Sequence, residues 1–381
     1  MTTTALVNGR VLLEQGFVDD VAVLLEGASI SAVVRADDAR VRSAQAHDLD
    51  GAILAPGFID CQVNGGGGVL FNDAPDSDSI AAIARAHRRF GTTGMLPTLI
   101  SDEPEVTRAG LHAVAQALQQ GVPGVLGIHL EGPFLSPQRR GIHDAKHFRT
   151  PSATDVEMLA TLREGCLLLT VAPEEIEPAR LRQLTALGLL VAAGHTAASY
   201  EQTRRALDAG LRGFTHLFNA MTPMTSRAPG VVGAALEDAH SWCGIIVDGH
   251  HVHTAALRIA LAAKPRGKVF LVTDAMPPVG ATDSSFRLNG ETITCRDGLC
   301  TNAQGVLAGS ALDMATAVRN SVRMLQITLP EALRMASAYP AAFLGEQRRG
   351  RIAAGSVADL VLIDENVNVK ATWIGGELMR H

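Results

Sequence analysis

Three residues able to hold a divalent cation, Glu131, His195 and His216, each stand directly after a short apolar run. Such runs read as buried β-strands, and at their ends a turn-forming Gly, Ser or Asn is the ordinary expectation. Reading the other run ends in order adds Gln62 and Asn64, then Asp248 with His250 and His251, and finally Asp274. Singly, each has a plain explanation. Glu131 could cap a helix or join a salt bridge, either histidine could be a satisfied structural residue, and Asp274 could cap the next segment. Arg227, in the polar loop after His216, could grip a phosphate through its planar fork or be a solvated surface charge. The histidines around Asp248 could be incidental beside an acidic cap. Together, one carboxylate and two imidazoles at three strand ends match a catalytic zinc set that leaves a position open for water. Ligand type does not separate zinc from iron(II). Beside such an ion, Asp274 could take a proton from a water whose pKa has fallen towards about 7, and later return it.

Residues drawn from so many strand ends need a scaffold that brings those ends to one side. Candidate strands are Ala52–Ile59, Thr93–Leu99, Gly124–Leu130, Cys166–Val171, Leu189–Ala193, Gly213–Leu217, Trp242–Val247 and Val269–Thr273. They are short apolar runs without strict alternation, as in parallel strands covered on both faces. Helix-like segments fall between most of them, among them Ser79–Phe90, Glu103–Gln120, Thr154–Arg163, Ser199–Ala209 and Thr254–Ala263. The repeated strand–helix unit predicts an α/β fold, a (β/α)8 TIM-type barrel, in which catalytic groups sit at the C-terminal strand ends. A doubly wound open sheet is the rival. Near the barrel mouth, Phe286–Thr294 with its Asn289-Gly290 turn predicts a hairpin insertion, and helices Leu312–Met324 and Pro330–Leu344 follow. The two ends of the chain differ from the middle. Ala5–Leu13, broken at Asn8-Gly9, then Val21–Glu26, Ile30–Val34, Asp359–Ile363 and Ala371–Trp373 read as strands. The expected division is a small β-sandwich domain built from residues 1–54 and 346–381, around a barrel domain of residues 55–345.

Of the 381 residues 47% are apolar and 19% charged, so an ordered globular protein is expected. A formal net charge of -6 without a basic run argues against nucleic acid as a partner. No apolar run approaches the roughly 20 residues of a membrane span. The five cysteines form no Cys-x-x-Cys pair, which fits a reducing compartment. The opening Met1-Thr2-Thr3-Thr4 shows no basic stretch ahead of an apolar one, so no signal peptide is read and a cytoplasmic location is expected.

Several stretches resemble the N-acetylglucosamine-6-phosphate deacetylase family of the amidohydrolase superfamily, over essentially the full length. They are Pro56–Asp60, His129-Leu130-Glu131-Gly132-Pro133-Phe134, Gly194-His195-Thr196, Thr215-His216-Leu217-Phe218-Asn219-Ala220-Met221, Asp248-Gly249-His250-His251-Val252 and Val272-Thr273-Asp274-Ala275. The resemblance implies one divalent ion, Zn2+ first and Fe2+ second, held by Glu131, His195 and His216, with Asp274 as the proton-transferring base and acid. It implies that His143 polarises the acetyl carbonyl and that Ile142 meets the sugar. Asn219, Ala220 and Arg227 would receive the phosphate of a phosphorylated N-acetyl amino sugar. His251 would reach it from the neighbouring subunit of a homodimer, and Leu307, Ala308 and Gly309 would line the sugar site. Many superfamily members carry His-x-His where this chain has Gln62-Val63-Asn64, and some carry a lysine where it has Ala172-Pro173-Glu174. A single metal is therefore expected. The galacto epimer of the substrate, another N-acyl hydrolysis on the same barrel and a catalytically dead scaffold are the alternatives. Retention of Glu131, His195, His216 and Asp274 speaks against the last.

Overall fold

Eight apolar runs form one parallel sheet in chain order: Phe58–Val63, Thr92–Ile100, Gly127–Glu131, Cys166–Val171, Leu190–Ala193, Gly213–Phe214, Trp242–Ile245 and Val269–Leu271. Every residue of the first three is buried, which is why their sequences do not alternate. The structure, a computed structural model, describes residues 3–381. Met1 and Thr2, part of the opening read above for a signal peptide and of the expected 1–54 unit, lie outside the described residues. The last strand returns to the first just beyond their ends, where the Asp274 amide donates to the Gln62 carbonyl at 3.0 Å and Val63 pairs with Ala275. The sheet is thus a nearly closed barrel, as the alternating pattern predicts.

Local chemistry starts the helices that wrap it. Ser199 and Gln202 form a reciprocal capping box at Tyr200–Asp208, Ser152 and Asp155 do the same at Ala153–Leu159, and Pro104 and Pro178 occupy opening positions of two others. Thr254–Ala263 lies where the sequence places it. The expected Pro330–Leu344 helix is divided instead into Leu329–Ala336 and Ala338–Leu344. Pro340 has no amide hydrogen to give and cannot continue the first helix.

The small β unit pairs strands from both ends of the chain. One sheet runs Glu377–Arg380, Val369–Ile374, Leu360–Ile363, Ile53–Pro56, Arg10–Leu13 and Gly16–Val18; a second runs Ser29–Arg35, Val21–Glu26, Thr4–Val7 and Gln45–Asp48. Leu6, Val23, Ile30, Leu54, Leu360 and Trp373 share one apolar cluster with the rest of this unit. The run Ala52–Ile59, expected as one barrel strand, is two strands in different sheets. Leu54 belongs to the small cluster and Phe58 to the barrel core. Between them stands Gly57, where any β-carbon would strike the Thr93 side chain.

The predicted hairpin is the first half of a four-stranded antiparallel sheet, Ser285–Leu288, Glu291–Arg296, Leu299–Thr301 and Leu307–Ser310. The turn at Asp297-Gly298 sets Cys295 opposite Cys300, and the two form a disulfide. The absence of a Cys-x-x-Cys pair, read above as fitting a reducing compartment, did not foresee this bond, because spacing alone does not reveal a cross-strand pair. Cys61, Cys166 and Cys243 are free. No helix among the described residues is long and apolar enough to cross a membrane.

Ile128 is fully buried in the strand that carries Glu131, whereas Ile259 is 58% exposed. Ile128→Ala should lower stability by about 2–5 kcal/mol and Ile259→Ala by no more than about 0.5 kcal/mol. Denaturant unfolding of the two variants checks the contrast; equal losses would contradict the barrel packing.

Candidate active site

Glu131, His195 and His216 leave three different barrel strands at the same end and meet below the surface. Glu131 closes Gly127–Glu131, while His195 and His216 follow Leu190–Ala193 and Gly213–Phe214 by two residues each. His195 has φ 48° and His216 φ 31°, left-handed values uncommon for these residues, which turn both rings inward as the chain leaves the strand. Glu131 Oε1 lies 2.9 Å from His216 Nε2 and 3.4 Å from His195 Nε2, and the two imidazole nitrogens are 3.1 Å apart.

These separations are those of ligands around one ion. Bonds of about 2.0–2.1 Å in a tetrahedral site give ligand–ligand edges of roughly 3.3–3.4 Å. The His195 ring fits the role electronically. Its Nδ1 faces the Arg139 carbonyl at 2.9 Å and must carry the proton, so the neutral ring presents a lone pair at Nε2. The residues present fit a divalent cation. Burial alone would raise the Glu131 carboxyl, but the hydrogen bonds and charges of His195 and His216 outweigh it and hold Glu131 well below its ordinary range. His216 is lowered by burial and raised by Glu131, with a net rise. Its buried Nδ1 has no hydrogen-bond partner among the described residues.

Asp274 follows the last barrel strand, with φ 53°. Its Oδ1 accepts from Asn64 Nδ2 at 2.6 Å and from Gln62 Nε2 at 3.1 Å. The Gln62 amide also donates to Glu131 Oε1 at 3.1 Å, so a neutral donor bridges the two carboxylates where many superfamily members place a histidine pair. Burial and the Glu131 charge push Asp274 up to about 6. His143, on the loop after the Glu131 strand, points Nε2 toward Glu131 Oε2 at 3.9 Å and packs its ring against His195 at 4.4 Å. Burial first, then the His195 charge, push His143 down to about 3, so the ring is neutral.

The remaining expected contacts lie on the insertion and on loops that follow the barrel strands. Leu307, Ala308 and Gly309 belong to the insertion strand beside Asp274, whose carbonyl accepts from the Ser310 amide at 2.9 Å. Ile142 gives its carbonyl to Asn289 of the same insertion at 3.0 Å. Asn219 turns its amide back to the His216 carbonyl at 3.0 Å, and Ala220 has φ 50°. Arg227 is exposed and is not among these contacts. His251 is tied through Nδ1 to Asp248 at 2.6 Å and is near enough to Asp274 of its own chain to favour the ionised carboxylate.

Sequence reasoning gave no role to three supports. Ser101 follows the second barrel strand and contacts His143. Glu174 accepts from the Thr196 hydroxyl and the Ala197 amide, each at 2.5 Å, which anchors the turn after His195. Buried Asp60 accepts from the Thr273 hydroxyl and amide next to Asp274. Ser101 and Glu174 both stand just past strand ends, the same signal that marked Glu131.

A nearly closed parallel barrel with a carboxylate and two imidazoles converging at its strand ends, faced by an acid near neutrality, defines a metal-dependent hydrolase scaffold. The chain belongs to the amidohydrolase family, whose model matches residues 53–379. It is 45% identical over 335 residues, 87% of this chain and 84% of the other, to an N-acetylgalactosamine-6-phosphate deacetylase of Shewanella sp. (strain ANA-3). The crystal structure of N-acetylglucosamine-6-phosphate deacetylase from Pasteurella multocida is similar over 100% of both chains, with a TM-score of 0.96 and 34% identity. A mutant of the Mycobacterium smegmatis N-acetyl-D-glucosamine-6-phosphate deacetylase, in complex with N-acetyl-D-glucosamine-6-phosphate, matches over 99% of both chains, with a TM-score of 0.90 and 31% identity.

The geometry leads to a measurement of metal content. The protein as purified should carry a divalent ion that chelation removes and added Zn2+ restores, whereas His216→Ala should fail to regain it. Elemental analysis reads both; full metal retention by the variant would remove His216 from the ligand set.

Proposed function

We propose that this chain hydrolyses the acetamide of N-acetyl-D-glucosamine 6-phosphate to D-glucosamine 6-phosphate and acetate. The observation that carries the reading is the convergence of Glu131 Oε1, His195 Nε2 and His216 Nε2 within 4.8 Å of one another, in a cluster to which Gln62 links Asp274. A divalent ion held there, for which Zn2+ is the first choice, would polarise the amide oxygen and bring a water's pKa down towards about 7.

The chain's own residues do the rest. Asn64 and Gln62 both occupy Oδ1 of Asp274, so Oδ2 is the oxygen left to accept a proton from the attacking water. A carboxyl held at about 6 can take that proton and give it up again near neutral pH. The same group then protonates the departing amine, because an amide bond does not break to an anionic nitrogen. His143 directs a neutral N–H at the acetamide oxygen, where charge grows as the carbonyl becomes tetrahedral; a donor fixed in place costs no reorganisation at that moment. Asn219, the Ala220 backbone, Arg227 and His251 receive the phosphate, while Ile142 and Leu307–Gly309 border the sugar. Binding energy gathered at the phosphate holds the acetamide against Asp274. A cytoplasmic homodimer is the expected setting for a phosphorylated sugar substrate.

A second reading, with the galacto epimer as substrate, is favoured by the name and 45% identity of the Shewanella relative. An acetate-release assay separates the two. Acetate should come fastest from N-acetylglucosamine 6-phosphate, more slowly from its galacto epimer and least from the unphosphorylated sugar. The reverse order of the first two would transfer the assignment to the epimer, and no release from either would sink both. Asp274→Asn should lower kcat by about a thousandfold or more while KM changes little. Binding lost in step with turnover would contradict the proton-transfer role.

A further inference from the structure

Ser101 is buried at the tip of the second barrel strand and presents two groups to one atom of His143. Its backbone amide donates to His143 Nδ1 at 3.3 Å, and its hydroxyl lies 2.9 Å from the same nitrogen. A peptide N–H can only donate. The nitrogen it faces must therefore offer a lone pair, and a neutral imidazole with its lone pair at Nδ1 carries its proton at Nε2. Nε2 is the atom turned toward the metal-binding cluster, 3.9 Å from Glu131 Oε2.

We propose that Ser101 is a positioning residue that locks His143 in the Nε2–H tautomer, so that the ring donates to the acetamide oxygen instead of opposing it with a lone pair. The inference deepens the proposed function and rests on it for the identity of the oxygen. The opposite tautomer would set an Nδ1 proton against the Ser101 amide proton and leave two acceptors, Nε2 and the carbonyl oxygen, facing each other.

A second feature of the chain preserves the contact. The Ser101 hydroxyl has one hydrogen to give, and the ring nitrogen at 2.9 Å lies closer to it than the backbone carbonyl of Glu131 at 3.3 Å. The next residue is Gly132, with φ 96°, and a β-carbon there would strike the Ser101 hydroxyl and crowd Leu135. Glycine keeps open the space in which the serine side chain reaches the ring. Ser101 touches no reacting atom itself and acts through His143.

The test reads the tautomer directly. Zn2+-loaded protein is labelled with 15N in its histidine rings, and His143→Gln serves to assign the His143 signals. In the wild type, Nε2 should show the shift of a protonated nitrogen and Nδ1 that of an unprotonated one. Ser101→Ala removes the hydroxyl and keeps the backbone amide, so it should move both His143 signals part of the way toward mixed tautomers and lower kcat for acetate release about tenfold, with KM within about twofold and metal content unchanged. Ser101→Thr, which keeps the hydroxyl, should recover most of the loss. A proton on Nδ1 in the wild type would overturn the proposal. So would a Ser101→Ala variant whose kcat falls while the His143 spectrum stays as in the wild type. The wild-type spectrum does not depend on turnover, and its assignment needs only a folded His143→Gln protein. A protein with the Nε2–H tautomer and no acetate release would therefore defeat the proposed function while leaving the tautomer assignment in place.

Discussion

Two imidazole nitrogens and a carboxylate oxygen are held within 3.4 Å of one another, out of solvent, with their lone pairs aimed at a common point. Such a cluster repels itself unless a proton or a cation sits between its members, and the rest of the barrel end is arranged around that demand. The Arg139 carbonyl commits the His195 proton to the far nitrogen. Left-handed backbone at His195 and His216 rotates their rings inward from adjacent strands. The Glu131 carboxyl stays ionised despite complete burial because the imidazoles outweigh the desolvation.

The treatment of the second acid follows from the first. Burial first, and then the charge of the ionised Glu131 across from it, push Asp274 toward neutrality. Gln62 answers this with a neutral amide that donates to both carboxylates. A histidine pair in that place would invite a second cation, which would hold Asp274 ionised. The amides instead leave Asp274 near the pH at which a proton can come and go. The backbone joining Asp274 to Gln62 also closes the barrel, so the acid's position is set by the same hydrogen bonds that complete the sheet.

Much of the framework was legible because burial leaves a mark on composition. Strands covered on both faces must be apolar throughout, and Cys166–Val171 and Thr254–Ala263 fall where the sequence alone places them. Glu131, His195, His216 and Asp274 stood out for the same reason: polar residues ending apolar runs demand an explanation. Elsewhere the same reasoning misread the chain. One apolar run, Ala52–Ile59, serves two sheets, since hydrophobicity records burial and not which core a residue enters. Cys295 and Cys300 became partners only when a turn paired their strands.

The sequence by itself determined the class of fold, the identity of the groups able to bind a cation and the acid beside them, because each follows from residue type and local periodicity. Only the tertiary structure decided which nitrogen of His195 faces the cluster, that Ser101 stands behind His143, that Glu174 anchors the turn after His195, and that Gln62 spans two carboxylates. Those relations join residues up to 212 positions apart. They depend on ångström distances and on which way a lone pair points, and a linear pattern of residue types carries neither.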